Sequence, residues 1–174
     1  NDYEKVFKRF ISSLKSQKKV RKLWITLPHK INGLHYLTPV LKKLTLLKHL
    51  SFVFTTSQAT NTDLHSLKKS LQNIYSLRHF SLYLFSCNKV TNAGMKSLRQ
   101  GLHYLQSLKE ISLGFYNYYK MTDVELNTLR QGLQKLTSLK SIYLSFESCR
   151  LITDHGLNYL RQGFQALTSL QKID

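Results

Sequence analysis

Leu139-Lys140-Ser141-Ile142-Tyr143-Leu144-Ser145-Phe146-Glu147-Ser148-Cys149, continued by Ile152-Thr153-Asp154-His155-Gly156-Leu157-Asn158-Tyr159-Leu160-Arg161-Gln162-Gly163, decides the fold because it recurs. Leu77, Leu108, Leu139 and Leu170 stand 31 residues apart, and Leu47 and Val20 precede them at intervals of 30 and 27. A period in this range marks a solenoid, in which each repeat is one supersecondary unit that buries its apolar face only by stacking on its neighbours. Within one copy the apolar spacing changes character. Ile142, Leu144 and Phe146 alternate, as on a strand with one buried face. Leu157, Leu160, Phe164 and Leu167 follow at steps of three, four and three, which is one stripe of a helix.

The two preceding copies are nearly superposable on this one. They carry Phe80/Leu82/Leu84 and Ile111/Leu113/Phe115 at the strand positions, then Cys87 and Tyr118 where the quoted copy has Cys149. Val90-Thr91-Asn92, Met121-Thr122-Asp123 and Ile152-Thr153-Asp154 open the helices, because Thr or Asp there accepts bonds from the orphan amides of a helix start, and Thr122 with Glu125 fits a capping box. Their helical stripes are Met95/Leu98/Leu102/Leu105 and Leu126/Leu129/Leu133/Leu136. Further back, Leu50, Phe52 and Phe54 face inward, followed by Thr60-Asn61 and by Leu64, Leu67, Leu71 and Ile74. The copy starting at Val20 places Leu23, Ile25 and Leu27 inward with Trp24 and Thr26 outward, and it is four residues short. Its Thr38-Pro39 reads as an N-cap and first helical position, the helix running on through Leu41 and Leu44. Residues 3–17 read as a helix with Phe7, Phe10 and Leu14 on its apolar face.

These readings predict one α/β domain over 1–174. It divides into a half repeat (1–19), repeats 20–46, 47–76, 77–107, 108–138 and 139–169, and the start of another at 170–174. Parallel strands and right-handed crossovers are expected, with further repeats or polar caps beyond both ends and the strand that completes the first half repeat upstream of Asn1. The pattern resembles leucine-rich repeats. Cys149-x-x-Ile152-Thr153-Asp154-x-Gly156-Leu157-x-x-Leu160 is similar to the motif of the cysteine-containing class found in F-box substrate receptors, and the long repeat also resembles the ribonuclease-inhibitor-like class. The chain departs from the motif in an extra inward strand residue before the cysteine position and in Tyr118 at that position, and it holds no F-box-like segment. The resemblance implies a curved solenoid with strands on the concave face, helices on the convex face, and partner recognition on the concave side.

Size and composition set the remaining bounds. A chain of 174 residues is long enough for a well-buried core, and it has no Pro/Gly/Ser-rich linker to divide it. The net charge is +17, with 19 of the 26 basic residues Lys, which suits either a solvated surface or an attraction to polyanions. No apolar run approaches the roughly 18 residues that a membrane span needs, and no signal-peptide pattern, glycosylation sequon or disulfide framework is present. An intracellular, cytoplasmic setting is therefore expected, with no membrane partner.

Candidate chemistry is sparse. Cys87 and Cys149 fall two strands apart, roughly 10 Å, which is too far for a disulfide and predicts free, buried thiols. Gly101, Gly132 and Gly163 interrupt good helices at one repeat offset shared with Ser13 and Ser70, which predicts a line of close helix approach. His49, His79 and Glu110 form a row that lacks a fourth ligand for Zn²⁺, so no metal or cofactor is expected. No nucleophile, base and orienting acid recur in a recognisable motif, so neither an enzyme nor a small-molecule substrate is expected. Arg21, Lys48, Arg78, Lys109 and Lys140 form a basic ladder along one rim, and Lys68, Arg99, Arg130 and Arg161 form another on the helices. The outward strand columns run Trp24/Ser51/Ser81/Ser112/Tyr143, Thr26/Val53/Tyr83/Gly114/Ser145 and Pro28/Thr55/Phe85/Tyr116/Glu147. Trp24, Tyr83, Phe85, Tyr116 and Tyr143 are the expected partner-binding residues. The expected function is a non-catalytic protein–protein interaction module within a larger scaffold or adaptor, with binding of RNA or another nucleic acid through the basic ladders as the alternative.

Overall fold

The computed structural model describes residues 2–17, 19–27, 34–55 and 59–174. Helix α1 (Asp2–Lys15) leads into strand β1 (Lys22–Leu27), and a 3-10 turn at Leu34–Tyr36 precedes the short α2 (Thr38–Leu41). Strands and helices then alternate: β2 (His49–Phe54), α3 (Asn61–Leu71), β3 (His79–Phe85), α4 (Asn92–Leu102), β4 (Glu110–Tyr116), α5 (Asp123–Leu133), β5 (Ser141–Ser145), α6 (Asp154–Phe164) and β6 (Lys172–Ile173). The strands form one sheet in sequence order, every neighbour parallel, and successive helices pack on one another in the same order. This is the repeating α/β solenoid that the period implies.

The core is a set of ladders running through the repeats. Leu23, Leu50, Phe80, Ile111 and Ile142 are successive register partners, as are Ile25, Phe52, Leu82 and Leu113, and all of them are buried. Each such side chain contributes about 1.5–3 kcal/mol by leaving water. At the strand starts one carbonyl serves two amides of the next repeat. Arg21 O accepts from Lys48 N at 2.8 Å and His49 N at 3.0 Å, and Lys48 O, Arg78 O, Lys109 O and Lys140 O repeat the arrangement down the chain. At the strand ends Ser86, Asn117 and Ser148 adopt φ values of 54°, 52° and 61°, the left-handed turn that swings the chain toward the helices. Cys87, Tyr118 and Cys149 follow one residue later, buried and with both thiols free. Tyr118 fits the cysteine column because its hydroxyl donates to Val90 O of the previous repeat at 2.6 Å.

The helix starts are capped as the sequence suggests. Thr91, Thr122 and Thr153 are N-caps, with a capping box at Thr122 and Glu125 and another at Thr60 and Asp63, each cap being worth about 1 kcal/mol. The first helical residue then ties one repeat to the next. Asn61 Oδ1 accepts from Thr91 N at 2.9 Å and Gly94 N at 3.0 Å, while Asp123 accepts from Thr153 N at 2.9 Å and from the Thr153 hydroxyl at 2.6 Å. These bonds to Thr153 hold the Asp123 carboxyl below its ordinary pKa.

The glycine column is the line of closest helix approach. A Cβ at Gly101 would lie 3.2 Å from Lys68 Cα, at Gly132 3.3 Å from Arg99 Cα, and at Gly163 2.6 Å from Arg130 Cγ. Each glycine thus accommodates the basic residue of the preceding helix, so the glycine column and the helical basic ladder are two halves of one packing device. Lys68 Nζ donates to Gln100 Oε1 at 2.9 Å and Arg99 Nη1 to Gln131 Oε1 at 2.8 Å, each across to the next helix.

Four expectations need correction. Ile11 is buried and Phe10 is 37% exposed, so the inner stripe of α1 runs Phe7-Ile11-Leu14, stepping by four and then three. Thr38 is no cap: Leu37 is already in the right-handed helical region, and the Thr38 hydroxyl lies 2.9 Å from Ser70 Oγ in the next repeat. The helix ends at Leu41, and Leu44 is buried from a turn instead. Leu157 is 51% exposed where its counterpart Leu126 is fully buried, since a whole repeat covers Leu126 while only Lys172 and Ile173 pair beyond β5.

Two outcomes follow from this packing. Gly132→Leu drives a side chain into the Arg99 backbone and should cost about 1–3 kcal/mol, read as a lower urea midpoint. Burial pushes the Cys87 thiol up to about 11 and raises Cys149 as well, so both should resist a disulfide reagent at pH 8 in the folded protein and react fully once it is unfolded.

Candidate partner-binding face

The register of the parallel ladder decides which side chains share the sheet surface turned away from the helices. Trp24, Ser51, Ser81, Ser112 and Tyr143 are successive partners, Thr26, Val53, Tyr83, Gly114 and Ser145 form the next column, and Phe85 pairs with Tyr116 in the third. Pro28, expected at the head of that third column, lies outside the described residues.

Tyr83, Phe85 and Tyr116 form a cluster on β3 and β4. The Phe85 and Tyr116 rings stack at 4.4 Å between centroids and 13° between planes, and Tyr83 lies 6.4 Å from Tyr116. Gly114 makes this possible. A Cβ there would come within 2.4 Å of Tyr116 Cε2 and 2.7 Å of Tyr83 Cδ1, so the two rings close over a backbone with no side chain. The Tyr83 and Ser112 hydroxyls are 2.6 Å apart, which fixes the Tyr83 ring on the neighbouring strand. Tyr143 borders the cluster, 39% exposed, and burial, reinforced by Tyr143 and opposed by Ser145, raises the pKa of the Tyr116 phenol. Trp24, 66% exposed, stands apart on β1, four strands or roughly 19 Å from Tyr143. The sequence names the aromatic positions, whereas the seat at Gly114 and the Ser112 anchor emerge only with the rings in place.

At the opposite end of the strands from the cluster, one residue before each strand, stands the basic rim. Arg21, Lys48, Arg78, Lys109 and Lys140 occupy successive rungs, joined by the two-amide carbonyl bonds, and Arg78 also donates to Ser107 O at 2.8 Å. Their charge has little internal compensation. Among the described residues only Lys8, Lys172 and His79 lie within ion-pair distance of a carboxylate. Six of the nine carboxylates are committed elsewhere: Asp63 and Glu125 to capping boxes, Asp123 to Thr153, Glu110 to His79, Glu4 to Lys8 and Asp174 to Lys172.

Between rim and cluster lies a depression of about 140 Å³ over β3–β5, lined in part by His79, Glu110, Ser112, Ser141 and Tyr143. The expected row of His49, His79 and Glu110 borders it. The two imidazoles stack at 4.0 Å with planes 4° apart, and His79 Nδ1 lies 2.9 Å from Glu110 Oε2. Among the described residues no group of three His, Cys, Asp or Glu is arranged to hold a metal ion. Desolvation, then the charges of His79 and Lys22, lower the His49 pKa against a smaller opposing pull from Glu110. A His with a depressed folded-state pKa contributes stability that is present above its unfolded value near 6.5 and is lost as pH falls through the folded value. His49 should accordingly titrate below 6.5 by NMR and move back upward in His79→Ala, which removes the stacked ring and its charge.

No family model and no curated protein matches the chain. Among solved structures it is similar to the tropomodulin C-terminal domain of Caenorhabditis elegans, with a TM-score of 0.57 and 12% identity over 90% of this chain and 90% of that one. A likeness at that identity speaks for the fold, a leucine-rich-repeat-like solenoid. Among the described residues no helix is long and apolar enough to cross a membrane.

Proposed function

We propose that this chain is a non-catalytic protein-interaction module of the long, intracellular leucine-rich-repeat kind, serving a larger scaffold or adaptor in the cytoplasm and binding its protein partner on the sheet face at Tyr83, Phe85, Tyr116 and Tyr143. The observation that carries this reading is the aromatic cluster itself. Two rings close over Gly114, Phe85 stacks on one of them, and Tyr143 borders the three. Half-exposed aromatics with hydroxyl edges are the side chains that dominate interface energetics. Trp24 would extend the face toward β1 as a separate contact.

The basic rim supports a second reading, in which the same protein binds RNA through counterion release. Phe85 and Tyr116 each place one face on the other, which leaves at most one face of each ring for a nucleobase to stack upon.

Affinity capture of the full-length protein tests the proposal. Tyr83→Ala combined with Tyr116→Ala should abolish capture of the protein partner, each truncation costing about 2 kcal/mol of binding, while the far-UV spectrum and melting temperature stay close to wild type. Nuclease treatment should leave wild-type capture intact. Loss of capture on nuclease treatment, with the double variant still binding, would instead establish the RNA reading.

A further inference from the structure

We infer that the partner segment is an acidic peptide, bound extended along the β3–β5 surface with its carboxylates on the rim cations and a bulky apolar residue on the aromatic cluster. This rests on the sheet-face reading of the previous subsection and adds the chemistry of the occupant. The first ground is charge complementarity. Six of the nine acidic residues are held by caps and local pairs, so the rim formed by Arg78, Lys109 and Lys140 has no carboxylate within ion-pair distance among the described residues. An acidic ligand supplies what the chain does not.

The second ground is geometry. The rim residues stand one position before β3, β4 and β5, the depression lies over the first halves of these strands and the cluster farther along β3 and β4, so an extended ligand that follows the strands passes all three. Seven residues separate Lys109 at the rim from Tyr116 at the cluster, about 23 Å at strand rise, and an extended ligand covers that distance in about six to eight residues. Strands β3 and β4 are paired on both sides, which leaves no main-chain edge for the ligand to join. Recognition therefore falls to side chains, and the spacing between apolar anchor and carboxylates becomes the signature. At the rim end of the track, next to Lys109, Glu110 is engaged by His79, which reduces its repulsion of an incoming acid.

The test is display selection of random twelve-residue peptides on the full protein, followed by fluorescence anisotropy with the enriched sequences. The expected pool carries Asp or Glu about six to eight residues from a bulky apolar residue. Lys109→Glu with Lys140→Glu should weaken binding about tenfold or more, as should Tyr83→Ala with Tyr116→Ala, and Lys109→Gln with Lys140→Gln should weaken it less than the charge reversal. Added salt should weaken binding in the wild type and much less in the rim variants. An enriched pool without acidic bias that still depends on Tyr83 and Tyr116 would overturn the inference and leave the sheet-face reading standing. Selected peptides indifferent to both double variants, no enrichment at all, or a random-sequence single-stranded RNA that outcompetes the peptides would overturn both.

Discussion

The bond on which the rest depends is the pair of amides donated to a single carbonyl at each strand start. Where Arg21 O receives Lys48 N and His49 N, it fixes both the spacing and the axial register of the next strand, and the pattern is renewed at Lys48, Arg78, Lys109 and Lys140. A slip of one residue would turn Leu82, Leu113 and their partners out to solvent and Tyr83 and Tyr116 into the core. The identity of the exposed face is therefore a consequence of the main-chain ladder, and the aromatic cluster exists because Tyr83, Gly114 and Tyr116 are brought to their places by it.

The outer layer is tied independently. Asn61 and Asp123 reach from one helix start to the next, and the glycine column lets each helix settle against the basic side chain before it. The second arrangement changes the meaning of the helical ladder. Arg99 and Lys68 look from sequence like charges awaiting a partner, yet their stems lie on glycines, Arg99 Nη1 donates to Gln131 and Lys68 Nζ to Gln100. The rim ladder has no such internal use apart from Arg78.

Legibility in the sequence follows the repeat. Strand faces, threonine caps, the buried cysteines, the first two outward columns and the Phe85–Tyr116 pair of the third are positions where one residue's neighbours are set by the repeat offset, and these agree with the structure. The misreadings fall where the offset fails. Around Thr38 the copy is short and a 3-10 turn intervenes, so helical geometry has begun before the expected cap. In α1 both Phe10 and Ile11 fit a helical stripe, and the choice between them shows only in which side chain is buried. Pairings between unlike positions were equally hidden: that Arg99 meets Gly132, or that Tyr118 reaches Val90, depends on side-chain lengths that a column of aligned letters does not carry.

The carbonyl ladder has one more consequence. It spaces the rim residues by the distance between strands, about 4.8 Å, while the separation at which two unit charges in water interact by RT is about 7 Å. The backbone positions of five cations are thus gathered within that separation from one to the next. The folded protein concentrates positive charge along this edge, which the unfolded chain, with the same residues some thirty positions apart, does not.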